Sequence, residues 1–493
     1  MERYQYLIII ILALNSSIVA INHTITSFHT YTPDFYCKDD NKTAACDIAE
    51  CVAGYQFNND DWTPVTEFNL VCGNRLLAPL INTLYFSGVT VGAIVCGILA
   101  DIFGRKFLVV ICIYFQLTLG LCLYFANSLE AFISIRTIQG FFVQGLQGCT
   151  YTLLLEFCPT KFRTGAGVLW EIFWAFGLIF LGLMSLAIRD WHYLQIVVSI
   201  PSIITAICIW IVPESPLWYL SIGKTSQSIT SIKKLAKYNK DDTFNNALVN
   251  NSNLEKLTKY GEFKSNDGDA SKRSDKNPIF SIFKNAILRK HAFVMITVWF
   301  SVTLSYYGIL FYLPSLSGNR HSNFIIGAVI EIVAYVLAFF LLQRFSRRYF
   351  MLTCQFVNGG ILIFLGLIAY LEVTSDFMDT FIIVMTLIAK GLAVSSFCTM
   401  FIYASELFPT MQRSAAIGLF GFWARIGSLL APQLMILTEY NGDLLPMAIM
   451  AFLIIISGAL LLLLPETKGE KLVNNIDEAN EMWGKSKKNG TQM

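Results

Sequence analysis

The sequence predicts an all-α membrane protein of twelve spanning helices, arranged as two six-helix halves. Hydrophobic residues make up 55% of its 493 residues and charged residues only 14%, whereas a typical soluble domain has about 25% charged residues. The apolar residues form twelve blocks of about 20 residues, the length needed to cross a bilayer as a helix. Short polar signatures recur half a chain apart, which indicates that the two halves are related.

The twelve blocks divide the chain into an N-terminal half, residues 1–212, and a C-terminal half, residues 291–464. A polar connector, 213–290, joins the halves, and a tail covers 465–493. The low apolar content of the connector predicts short amphipathic helices and some disorder. The first block has no small-residue cleavage site, so we expect a retained helix rather than a signal peptide. The predicted spans are 5–27, 76–100, 107–126, 130–155, 165–188, 193–212, 291–315, 323–343, 350–371, 377–404, 412–437 and 445–464.

Lysine and arginine indicate the orientation of the spans, because cytosolic loops are enriched in both. With the N-terminus in the cytosol, only five of the 36 basic residues lie outside and three lie within spans, which leaves 28 on the cytosolic side. We therefore expect a multi-pass plasma-membrane protein with both termini in the cytosol. The five outside are Lys38, Lys42, Arg75, Arg189 and Arg320, and the three within spans are Arg136, Lys390 and Arg425.

The loop between the first two spans, residues 28–75, is expected outside, in an oxidising environment. Its four cysteines predict two disulfides, with all three pairings open. The sequon NKT predicts a glycan on Asn41. The other eight cysteines lie mostly in spans, where we expect small packing residues, and the chain has no CxxC or HExxH pattern for a metal site. The loop cysteines are Cys37, Cys46, Cys51 and Cys72.

Three pairs of signatures recur at equivalent places in the two halves. EFCPTKFR follows span 4 at Glu156, and ELFPTMQR follows span 10 at Glu406. PESPLW follows span 6 and PETKG follows span 12, while GILADIFGRK between spans 2 and 3 has a degraded counterpart, FLLQRFSRR, between spans 8 and 9. Such parallel repeats are typical of one class of secondary transporter, in which the substrate site lies between the halves near the bilayer midplane.

The repeated signatures place acidic and basic residues at the cytosolic ends of helices that must separate and rejoin if the halves rock. We expect Asp101 and Arg105 to pair with Glu156 and Arg163 in one conformation only. The alternative is that these charges only set the topology. The predicted gating residues are Asp101, Gly104, Arg105, Glu156, Arg163, Glu406 and Arg413.

These motifs resemble those of the major facilitator superfamily, since GILADIFGRK is similar to its loop 2–3 signature and RTIQG at Arg136 to its span 4 signature. VTEFNLVC, PESPLW, ELFPT and LPETKG resemble solute carrier family 22, the organic cation, anion and carnitine transporters. AYVLAFFLLQRFSRRY, from Ala334, is similar to the carnitine and organic cation branch. The resemblance covers nearly the whole chain outside the two large loops, and the N-terminus and outer loop are shorter than in most members. It implies a major facilitator fold and transport of small organic ions.

Charged residues are costly inside the hydrocarbon and usually face a cavity or a partner. Glu171, Lys390 and Arg425 lie deep in predicted spans, as does Glu331 with Tyr335 one turn on. Trp174 lies on the same helix face as Glu171, and span 7 adds tyrosines. For each aromatic residue the alternative is plain packing, and for Lys390 it is a structural ion pair. The predicted substrate-binding residues are Arg425, Trp174, Glu171, Tyr306, Tyr307, Lys390 and Tyr335.

These residue types suit a substrate that carries both charges. Arg425 can bind a carboxylate through two parallel hydrogen bonds, and Trp174 with the tyrosines can hold a quaternary ammonium by cation–π attraction. ARIGS at Arg425 also resembles the segment of anion and carnitine members, where cation members carry Asp. We therefore expect a zwitterion such as carnitine or a betaine. The alternatives are an organic anion exchanger, an organic cation uniporter, and a channel or transport-dead receptor with this fold.

The chain has no GxxxxGK[ST] motif, so ATP is not the expected energy source, and we expect no enzymatic activity. The expected partners are the lipid bilayer and a small organic ion, with no nucleic acid and no second subunit. No cofactor or metal is expected. A coupling ion such as Na⁺ stays open, because span 1 departs from the carnitine branch in its polar residues.

Overall fold

The computed structural model describes residues 3–37, 55–57, 61–158, 162–239, 278–371, 375–438, 442–470, 473 and 476–489. Twelve helices of at least 18 residues dominate this part of the chain, and we number them α1 to α12. Their bounds are α1 Arg3–Thr24, α2 Leu77–Phe103, α3 Arg105–Cys122, α4 Leu129–Phe157, α5 Arg163–Ala187, α6 Trp191–Cys208, α7 Ala286–Tyr312, α8 Arg320–Arg344, α9 Arg347–Tyr370, α10 Asp376–Leu407, α11 Thr410–Ile436 and α12 Leu444–Leu461.

Eleven helices of the described chain are long and apolar enough to span a membrane. The remaining long helix, α4, has 29 residues but carries Arg136 and three glutamines, which make it less apolar. It packs along α2 and α3 and so lies inside the bundle. The structure confirms the predicted all-α membrane fold.

Glycines set the closest helix contact in the N-terminal half, where α2 packs against α4. A Cβ atom on Gly88 would collide with the backbone of Thr137, and one on Gly92 with that of Phe141. Small residues at such positions let the backbones of membrane helices approach closely. Side chains larger than hydrogen at these two positions would push α2 and α4 apart.

The two groups of six helices meet along a few helix pairs. Within the first group α1 packs against α5, and within the second α7 packs against α11 and α9 against α12. Between the groups, α5 packs against α8 and α2 against α11. We call the end of the bundle where α1 starts and α12 ends the terminus face, and the opposite end, with the segment between α1 and α2, the loop face.

At the loop face, a short antiparallel hairpin pairs β1, Phe35–Cys37, with β2, Tyr55–Phe57. A one-turn helix, Pro64–Glu67, follows and begins at a capping box made by Thr63 and Thr66. Cys37 and Cys72 each take part in a disulfide bond. Asn41, Cys46 and Cys51 lie outside the described residues, so the predicted glycan and cysteine pairing stay predictions.

At the terminus face, short helices flank the bundle at Pro216–Ser221, Thr225–Asn239, Pro278–Lys284 and Ile476–Asn489. The last of them is tied to the start of α7, because Asn285 Nδ2 donates a hydrogen bond to Asn480 Oδ1 over 2.8 Å. Part of the predicted connector, 240–277, lies outside the described residues.

Candidate functional site

Near the middle of the bundle, one acidic and one basic side chain each contact a residue of the other half of the molecule. Glu171 on α5 and Arg425 on α11 are both partly exposed. Tyr335 on α8 donates a hydrogen bond from its hydroxyl to Glu171 Oε2 over 3.0 Å. Arg425 Nη2 donates to Gln147 Oε1 on α4 over 2.8 Å. Both charges therefore lie at the interface between the halves.

Neither of these charges is neutralised within the described part of the chain. The Tyr335 hydroxyl contacts the Glu171 carboxylate. The Gln147 amide and the Tyr307 hydroxyl contact the Arg425 guanidinium, so neither charge has a partner of opposite charge among the described residues. An unneutralised charge at this depth usually faces a cavity or a ligand.

A second pair of charges behaves differently. Lys390 Nζ on α10 lies 3.1 Å from Glu331 Oε1 on α8, and both side chains are 0% exposed. Tyr306 donates to the same carboxylate over 3.1 Å, and Trp174 Nε1 donates to the Tyr306 hydroxyl over 3.1 Å. This chain of contacts runs from the C-terminal half into the N-terminal half and holds four side chains in one arrangement.

The structure therefore brings the seven predicted substrate-binding residues to one interface, where their individual roles stay predictions. Tyr335 contacts Glu171, Tyr307 lies beside Arg425, and Trp174 and Tyr306 belong to the chain that ends on Lys390. Gln147 joins them without having been predicted, because nothing in its sequence context distinguishes it from a packing glutamine. Among the described residues, no group of three or more His, Cys, Asp or Glu side chains is placed to hold a metal ion.

At the terminus face, Arg105 joins three helices of the N-terminal half. Its guanidinium lies 2.8 Å from Asp101 Oδ1 on α2 and 3.4 Å from Glu156 Oε1 on α4. The Asp101 side chain is 74% exposed, so its pair with Arg105 is screened by solvent. The contact with Glu156 is more enclosed and links α3 to α4.

The C-terminal half repeats this arrangement. Arg347, at the start of α9, lies 3.3 Å from Glu406 Oε2 at the end of α10. The Thr467 hydroxyl donates a hydrogen bond to the same oxygen, Glu406 Oε2, over 2.6 Å. The structure thus places Arg347 where the N-terminal half has Arg105, although the sequence motif around Arg347 is degraded.

Two glutamates that sequence reasoning did not single out cap the helices of these arginines. Glu214 of PESPLW accepts hydrogen bonds from the backbone of Lys106 at 3.0 Å and of Phe107 at the start of α3. Glu466 of PETKG accepts from Arg347 and Arg348 at the start of α9. A carboxylate at a helix N-terminus satisfies free N–H groups and matches the helix dipole. The signal was present in the repeat, because both glutamates occupy equivalent positions.

Gly104 makes room for the first of these caps. Its backbone has φ +111°, and a Cβ atom there would lie 2.6 Å from Glu214 Oε2. A side chain at this position is therefore opposed by backbone strain and by the loss of the cap. The structure thus gives the glycine of the GRK motif a local physical reason.

The other two predicted gating arginines do not join these clusters. Arg163 Nε donates to the Cys158 carbonyl over 3.4 Å. Arg413 Nε and Nη2 are buried and have no hydrogen-bond partner in the described chain. Arg163 lies close enough to Arg413 to act on it as a like charge. The two arginines belong to α5 and α11, so this pair of like charges spans the two halves.

At the loop face, hydrogen bonds and rings join the halves directly. Asp61 Oδ2 lies 2.6 Å from Arg320 Nη2 at the start of α8, and the same guanidinium covers the ring of Tyr31 at 3.6 Å. His321 stacks on Phe28 and contacts the Ser185 hydroxyl over 2.9 Å. The loop face is thus closed in this structure.

Comparison with known proteins agrees with this architecture. The model of the "Sugar (and other) transporter" family matches residues 12–483. The structure superimposes on the xylose transporter XylE from E. coli in its inward-open conformation, with a TM-score of 0.68 at 15% identity, over 97% of this chain and 100% of that one. XylE bound to a bromodeoxyglucose gives a TM-score of 0.66 at 16% identity, over 97% and 99% of the two chains. At these identities the likeness concerns the fold alone.

Curated relatives are more similar in sequence. Human organic cation/carnitine transporter 2 is 30% identical over 88% of this chain and 75% of its own length. The Drosophila melanogaster organic cation transporter protein is 30% identical over 91% and 78% of the two chains. Solute carrier family 22 member 6-A of Xenopus laevis is 30% identical over 87% and 75%. The chain therefore belongs to the sugar (and other) transporter family of the major facilitator superfamily and, within it, to solute carrier family 22, a family of transporters rather than enzymes.

Proposed function

We propose that this protein is a plasma-membrane secondary transporter of small organic ions that works by alternating access and favours a zwitterion such as carnitine or a betaine. The observation that carries the proposal is the pair Glu171 and Arg425. They have opposite charge, come from opposite halves, are partly exposed, and are met by tyrosine hydroxyls and a glutamine amide rather than by an opposite charge among the described residues. A zwitterion would neutralise both, which offsets the cost of keeping each charge in the membrane.

The cationic end of the substrate is assigned to Glu171 and the rings around it. The Tyr335 hydroxyl holds one oxygen of the carboxylate, which leaves the other oxygen for a ligand. Trp174 and Tyr306 lie within hydrogen-bond distance of each other, and an ammonium group over such rings gains about 0.5–2 kcal/mol per ring. Both rings are nearly buried here, so the substrate must part them from their present neighbours.

The anionic end is assigned to Arg425. A guanidinium has five N–H donors, and the bond to Gln147 uses one of them. The remaining donors can bind a carboxylate through two parallel bonds. Lys390 takes part only in a state in which its pair with Glu331 opens, because both of these side chains are fully buried.

An organic anion exchanger is the second candidate. Arg425 with Tyr307 beside it suits a simple carboxylate as well as it suits a zwitterion. Glu171 argues against this candidate, since a second carboxylate in the cavity would be repelled by it. An organic cation uniporter would in turn leave Arg425 without a function.

The closed loop face and the separate ion-pair clusters of the terminus face support alternating access. We place the terminus face in the cytosol, since 28 of the 36 basic residues then lie on that side. In this orientation the structure is closed to the outside. Opening toward the outside must break the contacts of Arg320 with Asp61 and Tyr31.

The test is uptake of labelled carnitine, glycine betaine, tetraethylammonium and glutarate by oocytes that express the protein, with and without external sodium. We expect saturable uptake of the zwitterions above that of the cation and the anion. Equal or greater uptake of glutarate would favour the exchanger. Ligand binding without any saturable uptake would indicate a transport-dead receptor. The dependence on sodium decides the coupling ion.

A further inference from the structure

A histidine on α1 that sequence reasoning did not single out lies next to the anionic end of the proposed site. His23 is fully buried. Its ring stands among Tyr85, Phe86 and Trp174, with centroids 5.7, 5.7 and 5.9 Å away. Phe86 in turn packs against Tyr307 at 5.3 Å. His23 therefore projects from the N-terminal half toward the interface rather than into the core of its own half.

The two ring nitrogens of His23 have different surroundings. Nδ1 lies 2.7 Å from the Tyr85 hydroxyl, whereas Nε2 is buried and has no hydrogen-bond partner in the described chain. We assign the Tyr85 hydroxyl as the donor to Nδ1, which puts the ring hydrogen on Nε2, because the bond at one nitrogen selects the tautomer. A buried N–H group without an acceptor is destabilising, so an acceptor from outside the chain is expected there.

Arg425 lies beside the same ring. The charge of Arg425 acts on His23, and the side-chain amide of Gln147 lies beside the same ring. Arg425 Nη2 donates a hydrogen bond to Gln147 Oε1 over 2.8 Å. The surroundings thus offer several donors, namely the His23 Nε2–H and the other N–H groups of Arg425, and these outnumber the one lone pair that the Gln147 oxygen has left. Donors without a matching acceptor are what a bound anion requires.

We propose that His23 binds the carboxylate of the substrate together with Arg425, through Nε2. This inference rests on the proposed function and deepens it, since it defines the anionic end as a two-sided site. One donor comes from α1 in the N-terminal half and the other from α11 in the C-terminal half. A bound carboxylate would join the halves at this point, whereas a ligand without one would not.

The test measures binding of labelled carnitine and, separately, of labelled glutarate to purified full-length protein in nanodiscs, with choline as a competitor. His23→Ala should weaken carnitine and glutarate by about tenfold, the loss expected for a hydrogen bond to a charged group. Choline has no carboxylate and should compete as it does with the unaltered protein. His23→Gln should recover most of the affinity, because its amide N–H extends about as far as Nε2.

The control is His291→Gln, since His291 is also buried but lies about four turns before Tyr306 along α7. It should bind all three ligands normally. If His23→Ala loses affinity equally for carnitine, glutarate and choline, and His23→Gln does not restore it, His23 is a packing residue and the inference is overturned. The same holds if His23→Ala binds both carboxylates normally.

If the unaltered protein binds glutarate but not carnitine, the zwitterion proposal fails while the His23 test still proceeds on glutarate. If it binds neither, both fail.

Discussion

At the residue scale, charge inside the bundle takes two forms with different consequences. Lys390 and Glu331 neutralise each other in full burial, and removing either one would leave a buried charge without its partner, which is strongly destabilising. Glu171 and Arg425 are partly exposed and rely on a hydroxyl and an amide. We therefore expect the first pair to support the fold and the second to discriminate between ligands.

Trp174 offers a direct test of the aromatic contact at this scale. Trp174→Ala should weaken binding of a trimethylammonium substrate by about twofold to thirtyfold, because one cation–π contact is worth ~0.5–2 kcal/mol. Trp174→Phe keeps a ring face but loses the bond to Tyr306, so it should lose less. Competition by unlabelled carnitine against its own labelled uptake gives both values. If alanine and phenylalanine are equivalent, Trp174 serves only to hold Tyr306.

At the element scale, the terminus face has two kinds of charged residue. Some form ion pairs that connect two helices, and others do not. Glu156→Gln removes the contact between α3 and α4, and Glu406→Gln the equivalent contact between α9 and α10. Each should lower the maximal uptake rate severalfold with little change in half-saturating concentration, because the change affects a conformational step rather than the site. Kinetics normalised to surface expression check this.

Asp101→Asn is the matched control for Glu156→Gln. Both remove one acidic partner of Arg105, but the Asp101 side chain is 74% exposed, and exposed pairs contribute little. Asp101→Asn should transport at nearly the original rate, contrary to the gating role that the sequence predicts for Asp101. A loss as large as that of Glu156→Gln would mean that the charge itself, and not the bridge between helices, controls turnover.

At the loop face, an ion pair between Asp61 and Arg320 joins the two halves. The two groups are 2.6 Å apart and nearly enclosed, so removing the carboxylate deprives the Arg320 guanidinium of its acidic partner. Asp61→Asn should therefore open the loop face more often. A cysteine in place of Ser185, which touches His321 across the halves, should then react about tenfold faster with a membrane-impermeant thiol reagent.

The exchanged variant, with arginine at 61 and aspartate at 320, separates attraction from other effects of the substitution. It should return the reaction rate of the cysteine toward that of the parent. If Asp61→Asn leaves the rate unchanged, other contacts such as the Phe28–His321 stack keep the loop face closed.

At the scale of the whole molecule, sequence predicts what repetition and periodicity encode. The apolar blocks and the duplicated signatures predicted the membrane fold, because a bilayer allows few solutions for so apolar a chain. The same sequence could not pair Asp61 with Arg320 or place His23 beside Arg425. Those contacts join segments far apart in the chain, and each residue type alone is equally typical of a surface or a packed core.

The helix caps are an intermediate case. Glu214 and Glu466 stood in the duplicated signatures, yet their role depends on where α3 and α9 begin in space. The repeat thus indicated that these two positions have a role, and the fold shows that the role is to cap helices. Lys390 shows the same limit, since its sequence position allowed both a ligand and an ion pair.

The orientation of the molecule has a simple test at Asn41. If the loop between α1 and α2 is outside, N-glycosidase should shift the protein on a gel, and Asn41→Gln should abolish the shift. The sequon NHT at Asn22 serves as an internal comparison, because Asn22 is buried in α1 and should carry no glycan. A shift that persists in Asn41→Gln would place the glycan elsewhere or reverse the topology.

The central claim is that opposite charges from the two halves bind the two ends of one substrate. The most direct measurement is inhibition of labelled carnitine uptake by carnitine, by choline, which lacks the carboxylate, and by 3-hydroxybutyrate, which lacks the ammonium group. Arg425→Gln should weaken carnitine and 3-hydroxybutyrate by about tenfold to hundredfold and spare choline. Glu171→Gln should weaken carnitine and choline and spare 3-hydroxybutyrate. If both variants lose affinity equally for all three ligands, or if neither variant loses affinity for any of them, the account is contradicted.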